Sequence, residues 1–351
     1  MIKRNWWKAT GALLLLFSVI AGLLIRMGPG ILQITPNNGS VTDTVHIHIT
    51  GYATHFKSSG DPLQAWILND SARIHLCADE VIVSSEIDAE ASFRIGSVKI
   101  AKDQAVDCHL VLKNKQDGLI MLGEGFHLHE KTGATNDSIV LTGSKCDDKI
   151  QYTDAVGMHF PFRGILDESI RNLFYHVPMW FAMISILSLS LYYSIRYLRT
   201  FDRKYDILAT ETIKTAVLFG VLGLITGSIW ARFTWGDWWV NDVKLNGAAI
   251  TMLIYLAHLV LRSSIDEEQK RAKIAAVYSI FAFSMMIVFL MVFPRIADSL
   301  HPGNGGNPGF NKYDLDSTMR LVFYPAVLGW VMIGLWIANL RTRIAMLNVE
   351  C

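Results

Sequence analysis

Two histidines and a run of tryptophans are the residues of this chain best suited to chemistry. His176 stands in "RNLFYHVPMW" and His301 in "ADSLHPGNGGNPGF"; between them "FTWGDWWVND" (233–242) sets Trp235, Trp238 and Trp239 beside Gly236 and Asp242. Neutral imidazoles are metal ligands, and two of them fill both axial positions of a haem iron. Indole faces lie flat against a porphyrin and are stable where a membrane meets water. A ligand that is apolar at one end and carries two carboxylates at the other also requires cations. Arg171, five residues before His176, and Lys244, two after Asp242, are the cations in these segments. Each element has an ordinary reading as well: interfacial tryptophans form aromatic belts, and a loop histidine is a solvated side chain.

These residues must be positioned by a membrane bundle. Of 351 residues 51% are hydrophobic and 18% charged, and the mean hydropathy is +0.31, a composition outside that of soluble domains. A net charge of +1, with no lysine or arginine stripe, excludes an electrostatic case for nucleic acid. Apolar stretches of about 18 to 20 residues are needed to cross a hydrocarbon core. Six are found, at 7–25, 177–198, 215–233, 245–261, 275–292 and 321–340.

Six spans leave both termini on one side, and basic residues choose the side. Lys3, Arg4 and Lys8 precede the first span; Arg196, Arg199, Arg203, Lys204 and Lys214 lie between the second and third; Arg262, Lys270, Arg271 and Lys273 lie between the fourth and fifth; Arg341 and Arg343 follow the sixth. The positive-inside rule makes these ends cytoplasmic. The first span has the charged start and apolar middle of a signal peptide, but its end, "LLIRMGPG", lacks a small-x-small cleavage site and reads as a retained anchor. Residues 27–171, the tryptophan segment and the loop at 293–320 then lie outside. His176 is expected at the outer entrance of the second span, with Pro178 in the first helical turn, so three separate outer loops bring two imidazoles and an aromatic surface to one face.

The outer segment is a different kind of chain. "TVHIHIT" (44–50), "ARIHLCA" (72–78), "SFRIGSVKI" (92–100), "DCHLVLK" (107–113) and "GFHLHE" (125–130) alternate with the period of half-buried strands, and turn-rich pieces such as "TPNNGS" and "KSSGDP" separate them. The expectation is an extracytoplasmic all-β, sandwich-like domain inserted into a polytopic α-helical membrane protein. His46 with His48 and His127 with His129 are i,i+2 pairs that share a strand face; they read as ordinary strand residues, as do His55, His75, His109 and His159. Cys77 and Cys108 lie in separate strands on the oxidising side and are candidates to pair, which leaves Cys146 over and Cys351 cytoplasmic. The absence of C-x-x-C excludes a thiol oxidoreductase, and that of C-x-x-C-H excludes a c-type cytochrome.

"WGDWWVND" resembles the tryptophan-rich WWD signature of haem-handling membrane proteins, W-G-x-W-W-x-W-D. "FYHVPMW" and "SLHPG" resemble the two histidine motifs that flank it in the same order. Residues 165–345 are similar to the family called haem exporter protein C, or CcmC, of cytochrome c maturation. The resemblance does not extend over 28 to about 161, which looks like an insertion into the family's first external loop. The expected organisation is a membrane anchor (1–27), a periplasmic β domain (28–161) and a five-helix haem-handling domain (162–345).

The resemblance implies residue roles. His176 and His301 match the family's axial ligands to the haem iron; Trp235, Gly236, Trp238, Trp239 and Asp242 match its haem-facing segment; Arg171 and Lys244 stand where it has basic residues near the propionates. Asn241 departs from the pattern by replacing the third tryptophan. The resemblance further implies non-covalent b-type haem, held at the periplasmic face of a bacterial inner membrane and passed to a periplasmic haem chaperone or apocytochrome c. Other cytochrome c maturation membrane subunits would be its partners, and the chain would deliver haem rather than catalyse. A second resemblance, to the CcsA subunit of the cytochrome c synthetase, would make it part of a haem lyase and draws attention to His258 in "YLAHLVLR". Without that role His258 is a polar residue near the cytoplasmic end of its span. A third reading is a membrane-anchored binding protein that acts through its β domain.

Overall fold

In the computed structural model the described residues are 2–40, 44–69, 74–95, 105–129, 155–162, 164, 166–297, 299–301 and 315–350. The chain divides into two compact units, Met1–Leu24 with Glu168–Cys351, and Ile25–Asp167. Among the described residues the first holds six helices long and apolar enough to cross a membrane: Asn5–Leu24, Glu168–Thr200, Arg203–Trp235, Val243–Ser263, Glu268–Ile296 and Ser317–Asn348. All six expected spans fall on them.

Helix α1 (Ile2–Leu24) packs against α7 (Ser317–Glu350) at close range: a Cβ on Gly11 would stand 2.7 Å from the Met332 Cβ. Helix α2 (Leu173–Thr200) follows a 3-10 segment over Asp167–Asn172. Here the sequence expectation is corrected. Pro178 lies inside α2 rather than in its first turn, and His176 is a helix residue, not a loop residue. The physical reason is that the ring forfeits only one backbone bond near the start of the helix, a loss the long apolar segment around it can absorb.

Helix α3 (Arg203–Trp235) is the longest of those before the loop at 293–320, at 33 residues, and reaches well beyond the expected 215–233 on its N-terminal side. Its extra turns carry two buried acids, which hydropathy alone reads as outside the span. Arg262 donates to both carboxylate oxygens of Asp206, at 2.7 and 2.6 Å. Glu211 accepts from Lys214 at 2.6 Å and from Arg341 at 3.0 Å. Paired in this way, carboxylates tolerate burial. Between the helices Met179, Met183, Ile186, Ile213, Phe219, Met252 and Tyr255 form the apolar core.

Helix α4 (Val243–Ser263) meets the end of the next helical run closely. Helix α5 (Glu268–Ile287) passes into a π turn over Val288–Val292 and then α6 (Phe293–Ile296). A Cβ on Gly247 would lie 2.5 Å from the Phe289 carbonyl oxygen, so glycine is required where α4 and the π turn touch. The segment that follows α6 carries His301.

Among its described residues the second unit has nine strands: β1 (Gly30–Thr35), β2 (Asn38–Ser40), β3 (Thr44–Tyr52), β4 (Gln64–Asn69), β5 (Ile74–Cys77), β6 (Glu80–Val83), β7 (Asp88–Arg94), β8 (Ala105–Asn114) and β9 (Gly118–His129). They form a four-stranded sheet, β1-β3-β7-β6, and a five-stranded sheet, β2-β9-β8-β4-β5. Ile47, Ile49 and Phe93 of the first sheet and Ile67, Leu110 and Phe126 of the second belong to one buried cluster. The alternation in "TVHIHIT" is realised residue by residue, with Val45, Ile47 and Ile49 buried and His46 and His48 on the opposite, exposed face. The strand expectation over 92–100 is realised only as far as Arg94, and residues 96–100 lie outside the described residues.

The suggested Cys77–Cys108 pair does not form. Cys108 is a free, buried thiol, whereas Cys77 is held in a disulfide. The Cys108 side chain points into the core between the sheets, where it behaves as a small hydrophobe. Cys146 and Cys351 lie outside the described residues.

Candidate functional site

One face of α3 organises the candidate residues. Thr226 and Trp230 are four residues apart, so they stack one above the other on that helix. His176, on α2, places Nδ1 3.1 Å from the Thr226 hydroxyl oxygen. A Cβ on Gly227 would lie 2.7 Å from the His176 Cε1, so the absence of a side chain there lets the imidazole lie against α3. The Trp180 ring, one turn along α2, meets the His176 ring edge-on at 6.2 Å.

A turn further along α3, Trp230 meets His301 with ring centroids 5.5 Å apart. Trp235, the last residue of α3, meets the same imidazole edge-on at 4.9 Å and Trp230 at 4.9 Å. His301 is thus walled by two indoles, and the two histidines lie within electrostatic reach of each other.

Gly236, at φ +86°, ends α3 in the left-handed conformation that a helix terminus favours and a side chain resists. Beyond it Trp238 and Trp239 are exposed, at 59% and 43% of their surface. Two bonds hold them: Ser228 donates to the Trp238 carbonyl at 2.7 Å, and the Trp239 indole N–H donates to Asn246 at 3.3 Å. Asn246 in turn donates to Asn241 at 2.7 Å. The departure from the tryptophan pattern at Asn241 therefore has a structural partner, since the residue braces the amide that braces Trp239.

Asp242 joins the tryptophan segment to the second histidine. It is the N-cap of α4, where one carboxylate oxygen accepts from the amides of Lys244 at 2.8 Å and Leu245 at 3.3 Å. The same oxygen stands 3.2 Å from the His301 Nδ1, and the other accepts from the Leu300 amide at 2.8 Å. Burial alone would raise its pKa. The Ser299 hydroxyl, the Leu300 and Lys244 amides and His301 outweigh that and hold the carboxyl below its usual value. For His301, burial is the largest influence and pushes the pKa down to about 4, with Asp242 opposing and Lys244 reinforcing. At neutral pH the ring is an uncharged imidazole, the form that binds metals.

The two cations are engaged. Arg171 is paired with Glu168 and donates to the Gly22 carbonyl at 2.7 Å, tying the start of α2 to the last turn of α1. Lys244 caps through its amide, and its ammonium lies close enough to His301 to act on it. His258 is elsewhere, near the C-terminal end of α4. It is 1% exposed, with Nε2 3.1 Å from the Ala275 carbonyl oxygen. Sequence reasoning missed Thr226, Gly227, Trp230 and Asn246. The i,i+4 spacing of Thr226 and Trp230, in register with a glycine, was the available signal.

The sequence model of the family described as heme exporter protein C, CcmC, matches residues 161–351, more than half of the chain. The chain belongs to the haem exporter protein C family. Its CcmC part contains both histidines and the whole tryptophan segment. Among relatives of this family, the heme exporter protein C of Bradyrhizobium diazoefficiens is 28% identical over 181 residues, covering 50% of this chain and 67% of that protein. That of Haemophilus influenzae is 28% identical over 138 residues, or 38% of this chain and 53% of that protein. The cytochrome c biogenesis protein CcsA of Prochlorococcus marinus is 41% identical over 80 residues, which is 23% of this chain and 25% of that protein. The chain therefore spans about half the length of the Haemophilus relative and a quarter of the cyanobacterial one.

Proposed function

We propose that this protein holds haem non-covalently at the outer face of a bacterial inner membrane and delivers it for cytochrome c maturation. His176 and His301 are the axial ligands, Trp238 and Trp239 the exposed platform, and Trp235 with Trp230 the wall behind His301. The observation that carries this reading is the shared hydrogen-bond logic of the histidines. The Thr226 hydroxyl donates to the Leu222 carbonyl at 2.8 Å, so its oxygen accepts the His176 Nδ1–H. The Asp242 carboxylate accepts the His301 Nδ1–H. Both rings then carry their lone pair on Nε2, the tautomer of a metal-ligating histidine with its other nitrogen tied to the protein.

The donor set suits haem. Bound there, the iron supplies two coordination positions that imidazoles satisfy and the macrocycle supplies an apolar face for indoles. Arg171 and Lys244 are the cations nearest the two ligand-bearing segments, on the side proposed for the propionates. A periplasmic haem chaperone or apocytochrome c is the proposed recipient, with other maturation membrane subunits as partners. The β unit, a two-sheet sandwich in this reading, is the proposed periplasmic domain.

The similarity to the CcsA proteins favours a second reading, a synthetase subunit with His258 as an intramembrane ligand. Its Nε2 is occupied by Ala275, and the cavity it lines with Ser194, Tyr197 and Asp206 is only about 10 Å³. That is smaller than the roughly 300–1,000 Å³ of typical ligand pockets, so haem presentation is preferred. The test is purification from haem-replete cells: a low-spin bis-imidazole spectrum with acid-acetone-extractable pigment is expected, and a protein colourless even after haem reconstitution would refute the site.

A further inference from the structure

We infer that the two axial bonds are unequal by construction, with His301 the anchoring ligand and His176 the releasing one, and that Asp242 is the positioning residue that makes the difference. The inference rests on the haem reading above. Both imidazoles donate from Nδ1, but to acceptors of different charge. His176 faces only neutral acceptors, the Thr226 hydroxyl, itself turned towards a backbone carbonyl, and the Gly223 carbonyl. His301 faces a carboxylate that is ionised, buried to 4% exposure and fixed by three backbone amides, those of Lys244, Leu245 and Leu300.

A hydrogen bond to an anion is about twice as strong as one to a neutral group. It draws the ring towards imidazolate character, which raises its basicity and strengthens the bond its other nitrogen makes to a metal. The supports differ mechanically in the same sense. Asp242 holds the amide of Leu300 as well as the His301 ring, so backbone and side chain are fixed together. His176 is held through its ring, with Gly227 supplying space rather than a bond.

A carrier must release its cargo, and a ligand pair of unequal strength gives that release an order. The His176 bond is the first to open when a competing ligand arrives, and the haem iron stays on His301 until the end. Asp242 does not touch the haem in this account; it acts through His301.

The test uses the full-length protein in detergent, titrated with haemin. His176→Ala leaves only His301, and His301→Ala leaves only His176. The His176→Ala protein should hold haemin more tightly, on the order of 10- to 100-fold, the range typical of losing a support behind a metal ligand. Adding Asp242→Asn to His176→Ala should remove that advantage and raise the haem midpoint potential, since the one carbonyl oxygen of asparagine can keep the cap and the His301 acceptor but not the charge, and its NH2 cannot accept from the Leu300 amide. Thr226→Val in the His301→Ala protein should change the potential much less. Equal or reversed affinities of the two single-ligand proteins, or an Asp242→Asn change with no effect on affinity or potential, would overturn the inference while leaving the site in place. If the protein lacking both histidines binds haemin as the wild type does, the haem reading itself falls.

Discussion

The carboxylate of Asp242 caps the first turn of α4 and stands 3.2 Å from the Nδ1 of His301, fifty-nine residues further along the chain. One side chain therefore sets both where α4 begins and how the second imidazole is turned. Asp242→Ala should lose the cap, at about 1 kcal/mol, and leave the Leu300 amide and the imidazole N–H without their acceptor. Asp242→Asn keeps one acceptor oxygen for the cap and the imidazole and loses the acceptor of the Leu300 amide alone, so it should cost less than Asp242→Ala. Thermal unfolding of the two variants in detergent checks this, and equal stability of Ala and Asn would contradict it.

The protonation of His301 fixes a pH dependence. Its folded pKa of about 4 lies below the ordinary value of 6.5, so the folded state binds fewer protons than the unfolded one. The stability tied to the neutral ring is complete above pH 6.5 and is lost progressively as pH falls towards 4. Haem-free wild type should lose stability across that window, and His301→Gln should lose less. A steeper acid loss in the variant would reverse the sign of the argument.

Much of this arrangement was legible in the sequence. The six spans come from hydropathy alone, because a lipid-facing helix must be apolar over its full width. The alternation in "TVHIHIT" fixed which faces of β3 are buried, because one sheet face meets a core. What the sequence hid was pairing at a distance. The turns of α3 that carry Asp206 and Glu211 read as polar until Arg262 and Arg341, 56 and 130 residues away, neutralise them. Asp242 was legible as a motif residue but not as a helix cap that also orients His301. Trp235 reads as a member of the platform, yet it packs behind His301, while Trp230, outside the motif, completes the wall.

The β unit makes its own prediction. Burial is the main cause, with Asp107 adding to it, of a Cys108 thiol pushed up to about 12. Almost no thiolate exists at pH 8, and the thiolate is the reactive species. Iodoacetamide should leave Cys108 unmodified in the native protein and alkylate it after denaturation, as read by peptide mass mapping. Rapid native labelling would contradict its buried place between the sheets.

The proposed sidedness has a direct test. A cysteine placed at Asp237, an exposed position beyond α3, should react with a membrane-impermeant maleimide added outside, and one at Glu267, before α5, should react only after the membrane is opened. Asn304, the natural position to probe beside His301, lies outside the described residues. Labelling of Asp237 only after membrane disruption would place the tryptophan segment on the inner side.

The role of His258 separates delivery from ligation. With Nε2 bound to the Ala275 carbonyl it acts as a packing and hydrogen-bonding group between α4 and α5. His258→Ala should keep near-normal haem occupancy, at a cost of about a kilocalorie or less in stability. Haem loss from this variant as deep as that from His176→Ala or His301→Ala, with the protein still folded and inserted, would favour the synthetase reading.

The central claim is that His176 and His301 are the two axial ligands of one haem, and imidazole rescue tests it most directly. The wild-type protein reconstituted with haemin should show low-spin absorption bands. His176→Ala and His301→Ala should each show a high-spin spectrum that added imidazole returns to low-spin, and His129→Ala should match the wild type. A low-spin spectrum that survives either substitution without added imidazole would contradict the account.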